Sequence, residues 1–434
     1  MSVQTRNILL FALVFGLIIA SGFYRSPDYA LRVVNLGLIS AIMAIGVNMQ
    51  WGYAGLFNIG VMGFVALGGL MAVLVGMPPV PDAWTAGGPR ALLALIVGGA
   101  LIFAAVLAWA RLPKGNVRAF AMLVLLGGGF FAYRGIFDPA VVAIEKVEPA
   151  LLGYLGGLGW PVILAWPIGG LAAAGAAWLI GKTALGLRSD YLAIATLGIA
   201  EIIIAVLKNE EWLSRGVKNV NGVPRPVPYE IDLQNDPAFV ERAQGLGLDP
   251  VVGSTLFVKL CYAGLFLAVL LIVMFLAQRA LNSPWGRMMR AIRDNEVAAE
   301  AMGKDVTARH LQIFVLGSAV CGVAGAMLIT HDSLFTPTSY QPLRFTFLIW
   351  VMVIVGGSGN NFGAVLGGFL IWFLWVEVEP LGLWLMDVIT AGMAEDNWLK
   401  AHLQESAAHM RLLTMGLILL LVLRFSPRGL IPER

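Results

Sequence analysis

Four stretches, 8–23, 59–76, 91–110 and 160–181, run for 16 to 22 residues without a single charged side chain. A helix crossing the hydrocarbon core of a bilayer needs about 20 apolar residues, so runs of this kind exclude an ordinary water-soluble fold. Composition agrees: 59% of residues are hydrophobic and 13% charged, against roughly 25% charged in a typical soluble domain. A β-barrel would alternate polar and apolar residues, and these runs do not alternate. The sequence predicts an all-α polytopic membrane protein.

Twelve candidate spans lie near 8–23, 30–49, 59–76, 91–110, 119–137, 160–181, 190–207, 256–277, 310–330, 343–357, 363–379 and 411–424. The expectation is therefore about 10–12 transmembrane helices in one domain over 1–434. The first run has no small-residue cleavage site after it and reads as a retained helix rather than a signal peptide. The pair at 343–357 and 363–379 is short, so either can be tilted or re-entrant. The Gly-rich stretch 51–60 is a second re-entrant candidate, allowed at membrane depth only inside protein.

Basic residues set the orientation. With the N-terminus inside, inside segments hold fifteen Lys and Arg and the short outside segments only Arg25, Arg90, Lys146 and Lys400. Both termini are then cytoplasmic, 278–309 is an inside loop, and 208–255 and 380–410 lie outside. The net charge of +3 is too small to point to a nucleic-acid partner. Cys261 and Cys321 sit in apolar stretches and read as packing residues.

Loop 278–309 carries the most information. Ser283 and Pro284 make a sound helix start, and Gly303 a stop. Val297, Ala298, Ala301 and Met302 share one face at helical spacing, with Glu296 and Glu300 on another. Arg290 with Asp294, and Glu300 with Lys304, are opposite charges four apart. The prediction is a short surface helix with a narrow small-residue face. Such a face either docks into a partner's groove or is simply a solvated loop.

Residues 283–303 (SPWGRMMRAIRDNEVAAEAMG) resemble the coupling segment of the LivM-type permeases of branched-chain amino acid ABC importers. The general importer pattern is met at Ala298, Ala299 and Gly303. Val297 holds its acidic position, which fits the LivM-type branch better. Residues 48–60, 188–202, 219–225, 355–364 and 426–431 are similar to further family segments, in the family's order. Residues 77–159 match none and read as added peripheral helices. The resemblance implies a periplasm-to-cytoplasm importer in the bacterial inner membrane. Its partners would be a second, LivH-type permease subunit, two cytoplasmic ATPases that bind ATP and Mg, and a periplasmic binding protein. Its cargo would be leucine, isoleucine or valine, with urea, short amides or other amino acids as alternatives. Ser283, Pro284, Gly286, Arg287, Arg290, Arg293, Asp294, Glu296, Ala298, Ala299, Glu300 and Gly303 would couple to the ATPase, with Ala298, Ala299 and Gly303 small on the docking side.

Gly52, Tyr53, Gly55, Asn58, Thr196 and Glu201 are candidates for pathway or gating roles. Glu201 is ionisable in mid-span, which is costly and marks either a functional contact or a hydrogen-bonded packing residue. The glycines either line a route or let helices approach closely. His310 and His331 flank one span without a neighbouring ligand set, so no metal or other cofactor is expected in this chain. Gly181, Lys182 and Thr183 end like a phosphate-binding loop, but Ala176 takes the place of its first glycine and no strand precedes. No catalytic constellation stands out. An ion-coupled secondary transporter remains the alternative from a different class, with Glu201, Glu377 and Glu379 as its carboxylates.

Overall fold

The computed structural model describes residues 3–187, 189–393 and 397–433. Arg188 and Arg434, counted above as inside charges, and residues 394–396 of the outside segment lie outside them. The architecture is helical, with a single two-stranded ribbon among the described residues, pairing Val220–Asn221 with Leu334–Phe335.

The principal helices are α1 (Val3–Tyr24), α2 (Pro27–Asn48), α3 (Val61–Gly76), α4 (Pro81–Arg111), α5 (Asn116–Glu145), α6 (Ala165–Ala184), α7 (Ser189–Asn209), α8 (Pro250–Asn282), α9 (Pro284–Asp294), α10 (Glu296–Ala301), α11 (Val306–Asp332), α12 (Pro342–Gly356), α13 (Asn361–Thr390), α14 (Trp398–Ser406) and α15 (Met410–Phe425). Among the described residues, nine helices are long and apolar enough to span a membrane, or ten if α14 and α15, bent by 56°, form one span. Helix α3, of 16 residues, and α12, of 15, are too short. At 1.5 Å per residue they reach about 24 and 22 Å, short of a roughly 30 Å core.

The shortfall has a physical resolution. Each short helix continues at one end into an irregular, glycine-bearing break: 55–60 before α3 and 357–360 after α12. Irregular backbone at membrane depth must find its hydrogen bonds in protein. Accordingly α2, α11 and α13 wrap the breaks, with 67–72% of their most apolar windows buried, against 17% for α4 and 11% for α5. The central helices touch through backbone. A methyl group on Gly68 of α3 would strike the Gly322 carbonyl of α11, and one on Gly367 of α13 the Met352 carbonyl of α12. Such packing is how membrane helices associate where hydrophobicity gives no preference. At the periphery α4 and α5 pair closely, with Gly87 against the Ala140 backbone.

Two local expectations change. The inside-loop helix is not continuous. It breaks at Asn295, whose extended backbone (φ −158°) starts a new helix and whose side chain accepts a bond from Ala298 N at 2.9 Å. Asn competes for backbone groups inside helices and favours caps, so it divides the segment into α9 and α10. The pairs Arg290–Asp294 and Glu300–Lys304 do not form among the described residues; Asp294 instead takes Arg293 at 3.1 Å.

Candidate functional site

Helix α2 ends in a widened turn over Met49–Tyr53, a π-type distortion that often accompanies function. Beyond it the chain leaves helical geometry, and Gly55 adopts φ +69°, which glycine takes without strain. A dense polar network satisfies this break. Gln50 Nε2 donates to Phe314 O at 2.9 Å and Ser318 Oγ at 3.0 Å. Asn58 Nδ2 donates to Gln50 Oε1 at 2.8 Å, while its Oδ1 accepts from Gly60 N at 2.8 Å. Trp350 Nε1 donates to Asn58 O at 3.0 Å, and Ile59 N to Thr196 Oγ1 at 3.2 Å.

The second break docks on the first. Asn48 Oδ1 accepts from Gly359 N at 2.8 Å, and Asn48 Nδ2 donates to Asn361 Oδ1 at 3.2 Å. The Tyr53 hydroxyl donates to the same Asn361 oxygen, and Asn361 Nδ2 reaches Gln278 Oε1 at 3.1 Å. Gly52 lies against Gly359 too closely for any side chain.

Loop 278–309 joins this centre directly. Ser283 Oγ caps α9 by accepting from Gly286 N at 3.3 Å, with Pro284 in the first turn. Gly286 is buried where a methyl would strike the Leu281 carbonyl. Arg293 then reaches inward: its Nη1 donates to the Gly52 carbonyl and to Glu433 Oε2, the latter at 2.7 Å. Burial alone would lower the Arg293 pKa. The hydrogen bond and charge of Glu433, helped by Asp294, outweigh that and hold it above the ordinary guanidinium value. Arg287, Arg290, Arg293 and Arg428 line an open cavity of about 730 Å³ with Asp294 and Glu433, a mostly cationic surface.

On α10, Val297 and Met302 are 76% and 79% exposed, and Ala298 and Ala301 share that exposure. Glu296 and Glu300 are exposed as well, and Gly303 has φ +73° at the helix end. Ala299 is the exception. It packs into the chain's own core at 9% exposure, so it supports α10 from behind and does not belong to a docking side.

The remaining predicted residues divide. Tyr53, Asn58 and Thr196 are at most 2% exposed and spend their polar atoms holding the breaks. Glu201 is exposed on α7, beside Gly198 and Ile202, and no hydrogen bond or ion pair to it occurs among the described residues. Glu377 accepts from the Tyr29 hydroxyl at 2.7 Å and pairs with Arg25 at 3.3 Å, and Glu379 pairs with Arg411. Asn48, Gln50 and Asn361 were missed as site residues; the signal was an amide side chain at the edge of an apolar run. No group of three or more metal-ligating side chains occurs among the described residues.

Residues 149–423 match the family model for the permease component of branched-chain amino acid transport systems. The chain belongs to that family. It is 31% identical to the high-affinity branched-chain amino acid permease LivM of Escherichia coli, over 58% of this chain and 56% of that protein. The alignment thus spans little more than half the length of that relative. A probable LivM of Methanocaldococcus jannaschii is 26% identical over 91% of this chain and 90% of its own length. The fructose import permease FrcC of Rhizobium meliloti is 26% identical over 66% of this chain and 75% of its own length. No solved structure matches the chain with significance. The chain is a multi-pass membrane protein of a transport family.

Proposed function

We propose that the chain is a permease subunit of an ATP-driven importer for leucine, isoleucine and valine in the bacterial inner membrane. Both termini and loop 278–309 lie in the cytoplasm. Two separate ATPase subunits bind ATP and Mg and dock on α9 and α10, while this chain holds no cofactor and performs no catalysis. A second, LivH-type permease covers the Glu201 face of α7, and a periplasmic binding protein delivers substrate to 208–255 and 380–410.

One observation carries this reading. The segment that exposes Val297, Ala298, Ala301 and Met302 is bonded through Arg293 to the Gly52 carbonyl at the re-entrant break. A partner that moves α10 therefore moves α9, and α9 pulls on the backbone that ends α2. That is a mechanical route for alternating access, in which ATP-driven closure of the ATPases switches the pathway between its two sides. An ion-coupled carrier is less favoured, because Glu377 and Glu379 are already paired and Glu201 stands exposed on α7 with no second ligand beside it among the described residues. Uptake in proteoliposomes containing the full complex tests the proposal: leucine should accumulate with ATP and binding protein and without an ion gradient. Gradient-driven accumulation in the absence of ATPase subunits would overturn it.

A further inference from the structure

At the end of the bundle opposite α9, a cavity of about 340 Å³ opens among α2, α3, α11, α12 and α13. From its mouth at Arg32 and Asp332 it runs inward along α2 and α12 as far as Met43, Met62 and Met352. The volume is near the lower bound of small-molecule sites, roughly 300–1,000 Å³, so the occupant is small.

Its lining sorts into three parts. Leu36, Ile39, Met43, Ile329, Leu348 and Met352 form an aliphatic wall. Arg32 and Asp332, both exposed, bring one positive and one negative charge to the same cavity. No ion pair joins them among the described residues; Arg32 has no hydrogen-bond partner there, and Asp332 Oδ1 takes only His331 Nδ1 at 2.8 Å. Ser40, Thr336, Ser339, Tyr340 and Trp372 add uncharged polar side chains to the lining. Tyr340 is 4% exposed.

The charges select the occupant. A carboxylate suits the planar guanidinium of Arg32, an ammonium suits Asp332, and an aliphatic side chain suits the wall. We infer that this cavity binds a single free α-amino acid with an aliphatic side chain, as a zwitterion entering from the end that carries Arg32 and Asp332. The inference rests on the proposed transport reading for its substrate class. It places a substrate site inside this one chain, apart from any pathway shared with a second permease. A sugar, without charged ends, would leave both Arg32 and Asp332 uncompensated. The 208–255 loop lies against the mouth: Arg225 donates to Ser333 Oγ at 2.7 Å, next to Asp332.

The test is equilibrium binding of radiolabelled leucine to the full-length chain in lipid nanodiscs. Competition with 4-methylpentanoate, which lacks the ammonium, and 3-methylbutylamine, which lacks the carboxylate, tests each charged end. Saturable leucine binding, with both analogues weaker by roughly tenfold or more, is expected. Arg32→Gln and Asp332→Asn, at exposed positions that should not disturb folding, should each weaken leucine by a similar factor. Arg32→Gln should leave the amine unaffected, and Asp332→Asn the carboxylate. No leucine binding, equal binding of all three ligands, equal competition by fructose, or unchanged affinity in both variants would each overturn the inference. ATP-dependent uptake by the same chain in its complex separates the two readings. Normal uptake with no leucine held by the cavity overturns the site and leaves the transport reading standing. Leucine held as described, with uptake driven by an ion gradient, supports the site and overturns the ATP-driven reading.

Discussion

Nη1 of Arg293 donates both to Glu433 Oε2, at 2.7 Å, and to the Gly52 carbonyl. One side chain thus ties the loop helix α9, Glu433 and the break that follows α2 together. The link is only a quarter exposed on either side, so its loss should cost about 1.5 kcal/mol, the low end for a bond to a charged group. Arg293→Ala should keep the ATPases bound and ATP hydrolysis running while uptake falls severalfold. The ratio of substrate moved to ATP hydrolysed is the readout, and an unchanged ratio would remove Arg293 from the transmission route.

The same link makes a statement about pH. A cation whose pKa is raised on folding stabilises the fold fully below its unfolded value, and that stability is lost only as pH rises through the folded value. For Arg293 the unfolded value is already above about 12 and the folded value higher still. Melting curves of wild type and Arg293→Ala should therefore differ by the same amount between about pH 7 and pH 10. A difference that vanishes within that range would show that the charge is not held as described.

Ala298 and Ala299 are neighbours facing opposite ways, and they should respond oppositely. Ala299→Leu forces extra atoms into a packed contact, at about 1–3 kcal/mol, and should lower the melting temperature. Ala298→Leu points to solvent and should leave it within about 0.5 kcal/mol of wild type. Equal destabilisation by both would mean that α10 is seated differently.

Gly60 and Gly198 offer a second contrast. A methyl on Gly60 would strike the Thr196 carbonyl, whereas nothing lies within 4 Å of the same position on Gly198. Gly60→Ala should destabilise the isolated chain by about 1–3 kcal/mol. Gly198→Ala should not, yet should weaken association with a second permease. Crosslinking through a cysteine at Ile202 would report that association, and failure to crosslink would leave the exposed Glu201 unexplained.

Orientation is open to direct test. Single cysteines at Asn221 and Glu300, both exposed, in a background lacking Cys261 and Cys321, should label from opposite sides of sealed vesicles. Labelling from the same side would contradict the assignment drawn from the basic residues.

Much of this fold is legible in the sequence because the bilayer leaves so few options. Uncharged runs can only be helices, and the break at 51–60 is visible because glycines interrupt such a run. The partnership of the two breaks is not legible, since Asn48 and Asn361 are brought together only by the packing of α2 and α13. Ala299 falls on the docking side by the family pattern, which matches residue types without showing which of them the chain's own core covers. Asn295 was read through as helix because the charges around it fit a helical spacing. Arg32 and Asp332 sit at span ends, where a charge is ordinary; only their shared cavity distinguishes them.

The central claim is that α10 transmits force from a docked ATPase. Ala298→Trp leaves the chain's own core untouched while blocking the small face, so copurification of ATPase subunits from membranes containing the variant is the most direct measurement. Overpacking of a close contact corresponds to about 5- to 150-fold weaker docking. The account predicts a correctly inserted, stable permease that has lost its ATPases and its ATP-driven leucine uptake together. A variant that retains both would contradict it.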